Sequence, residues 1–162
     1  MTQSDIKLLE AAEGWIGLGK WQEANEELEC ISPEMRSHPD VLDVRWQVYA
    51  FSEKWEMALE IASSLCAKTP DYPHGPVRLA FTLEHLNLTE EARDVLLVVV
   101  SKFPDTYPIH YSLARLFCKL GKLSEAKKWL KQAFKIADGT ELQEIARQDG
   151  DLEPIWRKFG EI

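Results

Sequence analysis

Apolar residues recur along the chain at three- and four-residue spacing, in paired runs split by short polar breaks. Such spacing turns one stripe of a helix toward a core, so the pattern predicts helical hairpins and no strands. The pairs repeat. Ala24, Ala58, Ala92 and Ala126 stand 34 residues apart, and other columns keep the same register. Trp15, Tyr49, Leu83 and Phe117 form one; Leu28, Ala62, Leu96 and Leu130 another; Ile31, Leu65, Val99 and Ala133 a third. A period of this length is too long for a heptad and fits a helix–turn–helix unit. The breaks agree. Gly19, Asn87 and Gly121 share a column, and glycine and asparagine accept the left-handed conformation that ends a helix. Thr89, followed by Glu90 and Glu91, reads as an N-cap with an acidic first turn. Pro39, Pro73, Pro76 and Pro108 fall at or just before first turns, where a missing N–H costs little. The repeated alanine lets the two helices of a unit approach closely.

The columns resemble the tetratricopeptide-repeat family, in the manner of a small, free-standing bacterial member. The second copy shows Leu42, Tyr49, Trp55, Ala58, Leu65 and Pro70 at the family's positions; the fourth shows Leu113, Ala114, Phe117, Gly121, Ala126, Leu130 and Ala133. The resemblance implies an all-α fold: a right-handed α-solenoid of four helix–turn–helix units at 5–38, 39–72, 73–106 and 107–140. Residues 141–162 read as a helical cap, giving one domain over 1–162. Their stripe of Leu142, Ile145 and Ala146 is followed by Gly150 and Asp151, then by Leu152, Ile155, Trp156 and Phe159. A terminal element must cover the last unit's apolar face while staying polar outside. Four residues depart from the pattern. Arg45 and Trp46 stand where an apolar and a small residue belong, so Trp46 must spread the helices or fill a gap. His110 and Asp138 are the others.

Composition narrows the function more than it names it. The 162 residues carry 19 Lys and Arg against 27 Asp and Glu, a net charge of −8, which disfavours nonspecific nucleic-acid binding. The longest apolar run, at 95–100, is far short of the ~20 residues of a membrane helix, and the first residues lack the features of a signal peptide. Cys30, Cys66 and Cys118 fit reduced thiols, and with them a cytoplasmic location. Neither the cysteines nor His38, His74, His85 and His110 have metal-ligand spacing, so no metal or other cofactor is expected. No nucleophile elbow, metalloprotease helix or phosphate-cradling loop appears, and the chain reads as no enzyme, with no catalytic residues.

The resemblance places a peptide-binding groove on the first helix of each repeat. Helical spacing independently sets those positions away from the apolar stripe. Carried over, they are Glu13 in the first repeat; Asp40, Asp43, Gln47 and Phe51 in the second; Arg78, Phe81 and His85 in the third; and Tyr111, Arg115 and Lys119 in the fourth. Phe51, Phe81 and Tyr111 are the expected anchors, since aromatic side chains supply much of the energy at interfaces. The family's clamp for acidic chaperone tails is absent: only Arg78 matches, and Glu13 would repel a carboxylate. Charge per repeat runs −5, −3, −2 and +5, then −3 over the last 22 residues. A partner segment would therefore lay basic residues over the first two repeats and acidic ones over the fourth. The expected function is a noncatalytic protein-interaction scaffold holding a partner peptide, without nucleic acid or membrane. A dedicated secretion-type chaperone and a self-assembling structural protein are the alternatives. For the last, Leu97 and Val98 lie outside the core columns and predict an exposed apolar spot suited to weak homodimerisation.

Overall fold

The computed structural model describes residues 1–137, 140–160 and 162. All regular structure among them is helical. Ten α-helices follow one another: α1 (Gln3–Gly17), α2 (Trp21–Cys30), α3 (Pro39–Phe51), α4 (Trp55–Lys68), α5 (His74–His85), α6 (Thr89–Val99), α7 (Tyr107–Lys119), α8 (Leu123–Ala137), α9 (Thr140–Gln148) and α10 (Glu153–Phe159). Two 3₁₀ turns, Pro33–Met35 and Gly150–Leu152, complete the chain. The departure expected at Asp138 lies outside the described residues.

The repeated columns are the core. Ala24, Ala58, Ala92 and Ala126 are wholly buried, as are Leu28, Ala62, Leu96 and Leu130. Each intra-repeat turn is closed by one left-handed residue, and these too are 34 apart: Gly19 (φ 71°), Glu53 (φ 55°), Asn87 (φ 61°) and Gly121 (φ 72°). Glu53 was not foreseen, because a β-carbon makes that conformation costly and glutamate gives it no local compensation. Thr89 is a correction of a different kind. It is the first residue of α6 rather than its cap; Leu88 precedes it, and no side chain caps that end.

The chain divides into two compact units, Met1–Leu86 and Asn87–Ile162, so the helices of the third repeat belong to different units. In the first unit α1 pairs with α2 and α3 with α4, α3 also packs on α1 and α2, and α5 packs on α4. That last contact is close at one point. A β-carbon on Gly75 would fall 2.7 Å from the Cys66 Cα, so only glycine admits this approach. Thr2 caps α1 through a reciprocal pair with Asp5, whose other oxygen accepts from the Ser32 N–H at 2.9 Å. Those hydrogen bonds hold the Asp5 carboxyl well below the usual carboxylate range.

In the second unit α6 packs on α7 and α7 on α8. The last segment covers α7 and α8 with Leu142, Ala146, Leu152 and Ile155, all buried. Ile145, expected in that stripe, is instead 53% exposed. The Trp156 indole N–H donates to the Ala146 carbonyl at 3.0 Å and ties α10 to α9. His110 is buried and half satisfied: its Nε2–H donates to the Pro104 carbonyl at 2.8 Å, while among the described residues Nδ1 has no hydrogen-bond partner. Among the described residues no helix is long and apolar enough to cross a membrane.

Candidate functional site

In the first unit, α3, α4 and α5 enclose a cleft of about 350 Å³. Trp46, Gln47, Ala50 and Phe51 supply one side, Val77, Arg78 and Phe81 the other, and Trp55 closes it. Helical geometry explains the grouping. Positions 46, 47, 50 and 51 recur on one flank of α3, and 77, 78 and 81 on one flank of α5. Trp46 and Phe81 meet edge to face, with ring centroids 5.8 Å apart, while the His85 ring stacks on Trp55 at 4.0 Å. Phe51 remains 61% exposed and Phe81 37%, so the cleft offers aromatic surface to solvent.

A polar chain, buried at Trp46 and Thr82 and partly exposed at Arg78 and Asp43, fixes the walls. The Trp46 indole N–H donates to the Thr82 hydroxyl at 2.9 Å, and that hydroxyl donates to the Arg78 carbonyl at 2.8 Å. The Arg78 guanidinium lies 4.2 Å above the Trp46 ring and donates twice to Asp43, at 3.0 and 3.2 Å. Gln47 donates to the same carboxylate at 3.1 Å. A cation that stacks on an aromatic face while pairing with a carboxylate is held in one orientation. Trp46 therefore fills a gap rather than spreading the helices: it packs among Ala58, Ala62 and Leu79. Arg45, its neighbour, points the other way and meets Glu29 of α2 at 2.6 Å.

Four sequence-predicted residues of the second and third repeats thus line the cleft: Gln47, Phe51, Arg78 and Phe81. Asp43 and His85 support it from behind, with His85 Nδ1–H donating to the Phe81 carbonyl at 2.9 Å. Asp40 lies in a second cleft, which Asp43 also lines, with His38, Leu65, Tyr72 and His74. Glu13 is an exposed residue of α1. Sequence reasoning missed Trp55 because it starts the second helix of its repeat, where no groove position was sought.

The fourth-repeat residues have a different setting, inside the second unit. The Tyr111 hydroxyl donates to Asp149 at 2.8 Å; Arg115 pairs with Asp149 at 3.2 Å and with Asp151; Lys119 reaches Asp151 at 3.1 Å. Both aspartates stand in the turn between α9 and α10. Burial and the Asp149 hydrogen bond push the Tyr111 phenol far above its ordinary value, while Arg115 and Lys119 hold the Asp151 carboxyl low against its burial. These partners belong to the segment that the sequence marks as a cap, and the signal for their pairing was the opposite charge of the two stretches. Leu97 and Val98 lie on α6, 38% and 78% exposed. The three cysteines are free thiols; burial raises those of Cys66 and Cys118. Among the described residues no cluster of histidine, cysteine or carboxylate side chains could hold a metal ion.

No protein-family model matches the chain, and no curated protein sequence does. Solved structures do. TTC0263, a thermophilic tetratricopeptide-repeat protein of Thermus thermophilus, superposes with a TM-score of 0.79 at 22% identity, over 96% of this chain and 83% of its own. A MamA fragment from Desulfovibrio magneticus RS-1, beginning at its residue 41, gives 0.72 at 15% identity, over 98% and 93%. MamA MSR-1 gives 0.66 at 20%, over 81% and 75%. The chain has the tetratricopeptide-repeat fold, an all-α helical repeat of the α-solenoid class.

Proposed function

We propose that the protein is a noncatalytic interaction scaffold that holds a partner peptide in the aromatic cleft of its first unit. Proteins of this fold are in general protein-binding scaffolds, and the likeness to them supports this class of function. One observation carries the finer reading: Phe51 and Phe81 stay exposed in a cleft whose other walls are locked. Aromatic rings left in water are costly unless something covers them, and rigid walls spare a partner the entropy of ordering its site. Phe51 and Phe81 are the anchors. Trp46 and Thr82 hold the geometry, and Arg78 with Gln47 forms the polar edge. Tyr111, Arg115 and Lys119 act within their own unit instead, fastening the chain's last turn.

Affinity capture from the source cell tests the reading. A Phe51→Ser, Phe81→Ala variant should lose the protein that the wild type retains while keeping its helical circular-dichroism spectrum. Undiminished capture by the folded variant would move the binding surface away from the cleft.

A further inference from the structure

We propose that the cleft's occupant is a basic peptide segment, one large apolar side chain seated among Trp46, Phe51, Trp55 and Phe81 with lysines or arginines flanking it. This rests on the cleft being the binding surface, and it adds the chemistry of what enters.

Charge is the first argument. The unit that holds the cleft carries seven Lys and Arg against 15 Asp and Glu, so the whole net charge of −8 resides there; the other unit has 12 of each and is neutral. A field of one sign around an apolar recess raises the local concentration of oppositely charged ligands and speeds their arrival. The cleft's own cation does not offset this field, because Arg78 is held by Asp43 through two hydrogen bonds. The turn that leads from Phe51 to Trp55 carries Glu53 and Lys54, the latter lying over the Trp21 ring, and Glu56 follows Trp55; both glutamates are exposed. A partner's flanking lysine is drawn by the unit's excess of carboxylates and, over the ring faces, by a second source of attraction for a cation.

The second argument comes from the other unit. Sequence alone expects a partner that is basic at one end and acidic at the other. The residues that would take the acidic end already hold carboxylates, those of Asp149 and Asp151. The tail satisfies that demand within the chain. What remains for a partner is the basic part.

A displayed library of random twelve-residue peptides, selected on the wild type and in parallel on Phe51→Ser and Phe81→Ala, tests this. Phe51 is exposed enough that its serine variant keeps the fold, so the comparison survives if Phe81→Ala does not. Peptides enriched on the wild type alone should carry net positive charge around one large apolar residue. Resynthesised, such a peptide should bind about tenfold more weakly at 500 mM than at 50 mM salt, as screening shortens the reach of the unit's charge. Glu53→Gln with Glu56→Gln should weaken it in the same direction. Neutral or acidic wild-type-specific peptides, or salt-insensitive binding, would overturn the basic partner and leave the cleft standing. Enrichment identical on all three proteins would remove the cleft as a binding site and this inference with it.

Discussion

Equivalent repeat positions do different work in the two units. Gln47 and Phe81 hold the same place in successive repeats as Arg115, and Phe51 and His85 the same place as Lys119. In the first unit these positions frame an open aromatic cleft. In the second they close on Asp149 and Asp151 of the same chain. A repeat position thus specifies an orientation and no more; the neighbouring segment decides whether the side chain offers a surface or consumes one. The helices are built alike, with the same buried alanine and the same left-handed turn. Their outward chemistry is set independently, which is how one scaffold hosts unrelated binding functions.

Removing the closing segment should break the contrast most severely. A chain ending at Gln148 loses Leu152 and Ile155, both fully buried, at about 3–6 kcal/mol together, and takes Asp149 and Asp151 away from Tyr111, Arg115 and Lys119. Hydrogen exchange should accelerate in α7 and α8 far more than in α3 and α5. Equal acceleration in both sets of helices would erase the distinction between a closed and an open surface.

Acid should act next, and on each unit through its own carboxylate. The folded pKa values of Asp5 and Asp151 both lie below the unfolded value of about 4. Their stabilisation is therefore complete above pH 4 and fades as pH falls through the lowered values. Asp151→Asn should flatten the acid dependence of exchange in α7 and α10, and Asp5→Asn that in α1. If Asp151→Asn left the slope in α7 unchanged, the aspartate would not be what fastens the turn.

The smallest expected effect sharpens the comparison from the side of the backbone. Three of the four repeat turns place Gly or Asn at the left-handed position, and the second places Glu53 there. Glu53→Gly should stabilise the protein by about 0.5–1 kcal/mol, visible as a higher midpoint in urea. A loss of stability would mean that the glutamate side chain contributes more than its backbone costs.

Much of this is legible in the sequence. Ala24, Ala58, Ala92 and Ala126 announced both the period and the closest helix contacts, because only a small side chain survives at such a place. Phe51 and Phe81 were legible as a pair since both fall outside the apolar stripe. The hydrogen bond from Trp46 to Thr82 was not. Periodicity tells which face of a helix is buried, but not which polar atom of another repeat lies opposite. Glu53 escaped for a related reason: a turn position is recognised by residue type, and here the fold imposes the conformation on a residue that resists it. The pairing of Asp43 with Arg78 stood within reach, since the two are 35 residues apart, one repeat and one residue.

That offset bears on how such a chain can change. Arg45 is matched to Glu29 in the repeat before it, and Asp43 and Trp46 to Arg78 and Thr82 in the repeat after it. The second repeat is therefore not an interchangeable part. Duplicating it or moving it elsewhere in the array would strand an indole N–H in the core and leave Asp43 facing a stranger, and deleting it would leave Arg78 without its carboxylate partner Asp43, although every alanine column would still align. The order of the modules is written into side chains that recognise one neighbour each.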